Sequence, residues 1–407
     1  MGDAGTHGGV GALLVTGRFP ELEEALVERV RELRRDDTLA RLTVVVGSAA
    51  VRTRVGDLLV RGLGAVANIH VVTLSRLARD LAAEGAGAPP VTLAGLARER
   101  LLRRLLRERG SRALRFFAPV AELPHVAEAL AATFADLREA LVAPDAGWAR
   151  AAFGADDGAG ADLETLYAAY CAALRDGGVA DAAAVFVEAA AAVPRVEWLG
   201  KVIVYGIYDL NRAQEALAGA LLAAGADAFV PVPRGATQDH AAVMLAASLR
   251  PQASSAFGVS SSPDAATTTR AERPPRSPRR LPVPPPTRDL HRLAALWARG
   301  TPPGVGRRPS VELTGDGTLQ VLSVPDERRE EREAARAVVA AAESGVPAWD
   351  CAVVVPHGED VARLAGALTD AGLPVACRVP DRSAGPRLCL RLADCLAPRA
   401  GEPFARR

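Results

Sequence analysis

Lysine is almost absent from the sequence, since 48 of the 49 basic residues are arginine and the single lysine is Lys201. A phosphate-binding loop of the form G-x-x-x-x-G-K-[ST] depends on its lysine and on the hydroxyl that follows it, and here Val202 follows Lys201. A nuclease site of the PD-(D/E)xK type needs an acid two residues before its lysine, where this chain has Leu199. The sequence therefore excludes both kinds of site within these 407 residues.

Cysteine and histidine are scarce and scattered. None of the five cysteines belongs to a C-x-x-C pair, and the six histidines show no metal-ligand spacing. Unpaired cysteines of this kind are typical of a reducing compartment. No apolar run approaches the roughly 18 residues of a membrane span, and the first residues do not have the pattern of a signal peptide. We therefore expect a cytoplasmic protein that binds no metal and does not contact a membrane.

Strands and helices alternate up to about Asp80 and again from Lys201. Runs of β-branched residues predict buried strands, and leucine and alanine at helical spacing predict helices. The predicted strands are Ala12–Thr16, Leu42–Gly47, Ile69–Leu74, Val202–Val204 and Ala228–Val232. This order implies a parallel sheet with helices on its faces. Ligands of such sheets bind at the carboxyl ends of the strands, so the residues that follow each strand are candidate site residues.

Two strand ends correspond to nucleotide-binding positions of P-loop proteins, and both are degenerate. After the first strand, where a phosphate loop would lie, a single glycine, Gly17, remains. After the strand at Val202, where a P-loop ATPase has its Mg²⁺-binding acid, the chain has Tyr205 and Gly206. We expect no catalytic residue at either position, and no affinity for ATP tighter than roughly millimolar.

The stretch from Thr92 to Val193 is almost wholly helical in pattern and contains the strongest local charge. Eight arginines and only two glutamates lie between Arg98 and Arg115, although the formal net charge of the whole chain is +1. Arginine suits bidentate contact with phosphate, which makes this helix the best candidate nucleic-acid surface. The predicted DNA-binding arginines are Arg98, Arg100, Arg103, Arg104 and Arg107. The alternative is that they form the solvated face of an amphipathic helix.

The sequence between Pro251 and Arg288 is rich in serine, threonine and proline, which predicts a linker. A second α/β pattern follows, with strands at Leu319–Val324, Cys351–Val355 and Pro374–Cys377 and helices at Glu330–Glu343, Val361–Ala371 and Pro386–Leu396. Three strands are few for a parallel sheet and would leave an uncovered edge. We therefore expect the chain to be the N-terminal portion of a longer protein.

The central strand and the second α/β pattern resemble superfamily-one helicases of the UvrD and RecB kind. In those helicases the strand ends in Asp-Glu-x-Gln-Asp-Leu; here Tyr205 and Gly206 replace the two acids, while Asp209-Leu210 is kept. Pro356 stands near the place of the arginine that touches the γ-phosphate of ATP. The resemblance thus implies a helicase fold that has lost three ATPase positions.

Further matches point to the helicase-like subunits of double-strand-break repair nucleases, AddB and the RecB-family exonucleases. The segment Val71–Ala78 is similar to the Thr-Phe-x-x-Leu-Ala segment near the DNA path, which implies that Thr73 and Ser75 contact DNA. Leu137-Arg138-Glu139 and the pair Tyr167 and Tyr170 resemble helices of the AddB helical insertion. Without the resemblance, the two tyrosines would be taken as core residues.

This resemblance implies an α/β fold with two RecA-like (P-loop NTPase-like) parallel-sheet domains, the first with a helical insertion and the second incomplete. The expected segments are 1–91 and 196–250 for the first domain, 92–195 for the insertion, 251–310 for the linker and 311–407 for the second domain. The family uses ATP and Mg²⁺, whereas this chain is expected to need no cofactor.

The function that we expect is an ATPase-inactive, DNA-binding scaffold of a DNA-end-processing helicase-nuclease. Its ligands would be DNA ends or junctions of single-stranded and duplex DNA, and its partner a helicase-nuclease subunit. One alternative is a two-domain sugar-nucleotide glycosyltransferase, although that fold needs no long helical insertion. The other is a helix-rich interaction protein that does not bind nucleic acid.

Overall fold

The computed structural model describes residues 13–377, except residues 94, 124, 146, 155–157, 234–235, 237–240, 249–278, 281–287, 300–311 and 356–359. The described residues form two units, which divide between Asp316 and Gly317. In the first unit the strands are β1 (Leu14–Gly17), β2 (Leu42–Val46), β3 (Ile69–Thr73), β4 (Lys201–Tyr205), β5 (Asp227–Pro231) and the two-residue β6 (Arg279–Arg280).

The helices of the first unit fall into two groups along the chain. Those that follow the first three strands or belong to the helical stretch are α1 (Phe19–Leu33), α2 (Ala49–Leu63), α3 (Leu74–Ala86), α4 (Gly95–Ala113), α5 (Val126–Glu139), α6 (Trp148–Phe153), α7 (Gly158–Asp176) and α8 (Ala182–Ala192). After β4 come α9 (Arg212–Ala223), α10 (Ala241–Ser248) and α11 (Asp289–Arg299). The second unit has α12 (Glu327–Glu343) and α13 (Asp360–Asp370).

The strands of the first unit form one parallel sheet with the order β3-β2-β4-β5-β1-β6. All five predicted strands are present within two residues of their expected bounds. The α/β class is thereby confirmed, and the sheet is compatible with a Rossmann-like or RecA-like fold. Because β5 lies between β1 and β4, the carboxyl ends of β1 and β4 are separated by a single strand.

Alternation of side chains along the strands gives the sheet two apolar faces. In β4, Ile203 and Tyr205 face a cluster that includes Leu22 and Leu26 of α1 and Leu59 of α2. Val202 and Val204 point the other way, to the cluster formed by α3, α8 and α9. Both faces of the sheet are therefore covered by helices, which explains the apolar runs Val44–Val46, Val202–Val204 and Ala228–Val230 within β2, β4 and β5.

Helices α4 to α7 form a separate helical block inserted between β3 and β4. Phe134 of α5 packs against Tyr167 and Tyr170 of α7, with ring centroids 5.3 and 5.6 Å apart. Both tyrosines are buried in the core of the block, as expected for them without the family resemblance. The chain enters and leaves the block side by side, because the Leu93 amide donates to the Ala180 carbonyl at 3.0 Å and the Ala180 amide donates to the Val91 carbonyl at 2.9 Å.

Two segments are placed differently from the sequence interpretation. Helix α8, expected within the insertion, packs on the sheet cluster through Val185, Phe186 and Ala189. The predicted linker at 251–310 lies largely outside the described residues, but it contributes β6, which pairs with β1, and helix α11. A backbone ladder needs no apolar side chains, so an edge strand can form from Arg279 and Arg280.

The three strands predicted for the second unit are not formed. The described residues at 319–324, 351–355 and 374–377 have no strand pairing, and Val321 and Val354 are 88% and 89% exposed. The two predicted helices are present as α12 and α13, and they bury a small cluster around Ala335, Leu364 and Leu368. A strand needs a pairing partner, and the local pattern does not supply one. The second RecA-like domain therefore remains an expectation, and its helix at Pro386–Leu396 lies outside the described residues.

Candidate functional site

The carboxyl edge of the sheet brings together three of the positions that were predicted to be degenerate, Gly17, Tyr205 and Gly206. Gly17 is the last residue of β1, Tyr205 is the last residue of β4, and Gly206 follows it. The Gly206 amide donates to the Phe229 carbonyl of β5 at 2.9 Å, which extends the sheet to this point. Gly206 has a φ of 72°, a left-handed conformation that glycine adopts without strain. These three positions thus lie at one edge of the fold.

The turn from β1 to α1 lacks the features that bind phosphate. Pro20 in the first turn of α1 has no amide hydrogen, and no side chain caps the helix. Arg18 is held by Glu21, with Nε 3.1 and 3.2 Å from the two carboxylate oxygens. Burial raises the pKa of Glu21, but the hydrogen bond and charge of Arg18 outweigh it and lower the pKa overall. At the start of α1, Glu21 therefore neutralises the positive charge of Arg18 that could otherwise bind a phosphate.

Phe19 covers the end of β4. A Cβ atom built on Gly206 would lie 3.3 Å from Cε1 of Phe19 and 3.5 Å from Cγ1 of Val51. After the end of β2, a Cβ on Gly47 would lie 3.8 Å from Cγ1 of Ile207, the residue that follows Gly206. Apolar side chains thus occupy the space beside Gly206. Sequence reasoning missed Phe19, and the only local signal was an aromatic residue beside Pro20.

Tyr205, which the resemblance places at the Mg²⁺-binding acid of an ATPase, is a core residue. Its side chain lies against Phe229, with ring centroids 6.3 Å apart, and the residue is 1% exposed. Burial raises the pKa of the phenol; the Glu23 carboxylate adds to the rise, and Arg54 opposes it. The residues at this edge therefore do not fit ATP with Mg²⁺, and no catalytic step is assigned to them.

Replacement of Tyr205 by phenylalanine tests this assignment. In the described part of the chain the Tyr205 hydroxyl is buried without a hydrogen-bond partner, a situation that costs about 1–3 kcal/mol. We expect Tyr205→Phe to leave the free energy of unfolding unchanged or to raise it by about 1 kcal/mol, as measured by urea denaturation. A loss of stability would show that the hydroxyl has a partner or a role.

The loop after β4 is tied to the helical block. Asn211 caps α9 together with Gln214 in a reciprocal capping box, and its side-chain amide donates to Glu139 at 2.8 Å. The neighbouring Arg138 pairs with the buried Asp181 at 2.7 Å, and Asp181 in turn caps α8. The Leu137-Arg138-Glu139 motif thus joins the block to two helices of the sheet layer.

The five predicted DNA-binding arginines lie on two sides of α4. Arg98 is half-buried, with its Nε unpaired in the described part of the chain, and Arg103 pairs with Glu99 at 2.5 Å. Arg100, Arg104 and Arg107 are exposed and share one face, since they lie four and three residues apart. Arg104 also lies 3.3 Å from Glu108. Of the five, these three are therefore the ones that solvent, and any ligand of α4, can reach.

The remaining predicted residues lie on other elements. Thr73 caps α3, with its hydroxyl accepting from the Arg76 amide at 3.3 Å. Ser75 is exposed in the first turn of the same helix. Pro356 lies outside the described residues. Thr73 and Ser75 are thus at the sheet edge, whereas the arginines are on the inserted block.

Comparison with known proteins adds no family, since the sequence matches no protein-family model and no curated protein. No helix within the described ranges combines the length and the apolar character needed to cross a membrane. In the same residues, no group of three or more histidine, cysteine, aspartate or glutamate side chains is placed to hold a metal ion. The candidate sites on the described residues are the carboxyl edge of the sheet and the arginine face of α4.

Proposed function

We propose that the chain is a DNA-binding scaffold of the helicase-like kind, without ATPase activity, that acts in DNA end processing. The observation that carries the proposal is the exposed arginine face of α4, on a block inserted into a parallel α/β sheet. Arg100 and Arg107 are separated by about 10 Å of helix rise, a spacing that allows contacts to more than one phosphate of a DNA strand. The apolar edge at Phe19 and Gly206 supports the lack of ATPase activity.

Charge reversal on α4 is the main test. We expect Arg100→Glu, Arg104→Glu and Arg107→Glu together to weaken binding of tailed duplex DNA by at least about tenfold at low salt, because an arginine that no longer binds a phosphate releases no counterion. The slope of log K against log salt should fall by about 0.7–0.9 for each phosphate that the variant no longer binds. Fluorescence anisotropy of a labelled tailed duplex across a salt series gives both quantities.

A matched control reverses the same number of charges elsewhere. Arg35, Arg52 and Arg61 are exposed residues in or next to α1 and α2, across the sheet from α3 and α8, and their change to glutamate should leave the salt slope unchanged. Equal slopes in both triple variants and in the unmodified chain would remove the role proposed for α4.

The nucleotide test uses isothermal titration with ATP and Mg²⁺. We expect no binding tighter than roughly millimolar. The P-loop lysine and the Mg²⁺-binding acid of an ATPase are absent, and apolar side chains lie beside Gly206. Micromolar binding of ATP would contradict an inactive ATPase edge. Micromolar binding of a sugar nucleotide, together with no DNA binding, would favour the glycosyltransferase alternative.

A further inference from the structure

One aromatic ring of the helical block is held outward. Phe116, in the turn after α4, is 57% exposed, whereas Phe117 packs partly against the core of the block. The two rings meet edge to face, with centroids 5.2 Å apart. Exposure of a large apolar ring loses the free energy that burial would give. Phe116 therefore offers an accessible apolar surface at this turn.

A buried carboxylate fixes this turn. Asp162 of α7 is buried and accepts hydrogen bonds from three successive amides, those of Arg115 at 3.2 Å, Phe116 at 2.7 Å and Phe117 at 3.0 Å. Three bonds to one carboxylate leave the backbone of the turn little freedom. Phe116 is thus presented on a rigid support, so that a ligand that stacks on it loses little conformational entropy.

The surroundings of Phe116 suit a nucleic acid strand. Arg115 is exposed beside it, and the proposed phosphate-binding face of α4 ends at Arg107, about 9 Å of helix rise before the helix terminates. A second exposed ring, Phe153, lies against α7 near the same end, since its Cδ2 is 3.3 Å from where a Cβ on Gly160 would stand. Aromatic rings beside a basic groove are the usual elements of single-strand recognition.

We propose that Phe116 is a stacking platform for an unpaired base of single-stranded DNA that leaves the arginine face of α4. The inference rests on the proposed DNA-binding function and adds the form of DNA that is bound. The flat ring offers its face to a base, and only a base outside a duplex has a free face. Asp162 is a positioning residue, because it acts through the turn that carries Phe116.

The test compares single-stranded and duplex DNA of equal length with the full chain. Phe116→Leu keeps an apolar side chain but removes the aromatic face. We expect it to weaken binding of oligo(dT) by about tenfold, the effect of removing one base–aromatic stack, while duplex binding and the salt slope change less than about twofold. Phe116→Trp should bind oligo(dT) at least as well as the unmodified chain. Leu123→Ala, which removes another exposed apolar side chain of the block, is the control and should have no effect.

An abasic strand separates stacking from other effects. Removal of the bases from the oligonucleotide should weaken binding to the unmodified chain, and Phe116→Leu should then add no further loss, because both changes remove the same stacking interaction. Equal loss for single-stranded and duplex DNA, or binding of oligo(dT) unaffected by Phe116→Leu, would overturn the stacking inference while the salt-dependent function stands. If the unmodified chain bound neither DNA, the proposed function and this inference would both fail.

Discussion

Gly200→Ala is expected to be among the most destabilising single changes in the first unit, by about 3–5 kcal/mol. Gly200 precedes β4 with a φ of 65°. A Cβ atom there would lie 2.3 Å from the carbonyl oxygen of Arg41, and the same oxygen accepts from the Lys201 amide at 3.1 Å. Relief of the clash would pull β4 away from β2. Urea denaturation followed by circular dichroism measures the loss.

A second glycine separates the conformational cost from the clash. Gly178 has a similar φ of 59°, but nothing lies within 4 Å of a Cβ built on it. Gly178→Ala should therefore cost only about 1–2 kcal/mol, the penalty of a left-handed alanine. If both variants lost the same stability, the turn at Gly200 would be able to relax, and the close approach to Arg41 would not be a constraint.

Asp227→Ala is the second change with a large expected effect, about 3–5 kcal/mol. Asp227 is buried at the start of β5, where it accepts from Arg29 Nε at 2.8 Å and from the Leu13 amide at 2.9 Å. Burial lowers the pKa of Arg29, but the carboxylates of Asp227 and Glu32 outweigh it and raise the pKa, so the guanidinium stays charged. Loss of Asp227 would leave this mostly buried charge with Glu32, a solvent-exposed partner at 3.0 Å, and would remove the acceptor of the Leu13 amide. Chemical denaturation gives the change in the free energy of unfolding.

The control is an ion pair of similar geometry at the surface. Arg54 binds Glu23 through Nε at 2.8 Å and Nη2 at 2.9 Å, but the Arg54 side chain is largely exposed. Glu23→Ala should cost less than about 1 kcal/mol. In addition, Arg29→Ala with Asp227→Ala should lose less than the sum of the single changes, because the double variant leaves no buried charge. Strict additivity would argue against the pairing.

The fold of the first unit could largely be predicted because its signal is local. The apolar run Val202–Val204 and the helical spacing after it are sufficient to place β4 and α9. The same reasoning was wrong at Leu319–Val324, where β-branched residues occur without a partner strand. Helix α8 was assigned to the insertion because of its position along the chain, and this was wrong. The surface on which a helix packs depends on residues that are distant in sequence.

Only two features of the candidate site could be predicted from the sequence, namely the loss of the ATPase residues and the concentration of arginine in α4. The replacement of two acids by Tyr205 and Gly206 can be read directly, as can the density of arginine in α4. The roles of Phe19 and Asp162 depend on contacts with Gly206 and with the turn at Phe116, far from them in the chain or on another element. An aspartate in an alanine-rich helix gives no sign that it holds three amides.

The hydrogen bonds that join Val91 and Leu93 to Ala180, where the chain enters and leaves the helical block, bear on the order in which the chain folds. β2 pairs with β4 across a long sequence separation, and pairing of this kind slows folding because a large loop must close first. A block that forms early would bring Ala180 beside Thr92, so that only residues 47–91 and 181–200 would remain in the loop between β2 and β4. Early folding of the helical block would then speed the pairing of β4 with β2, because a shorter loop has to close.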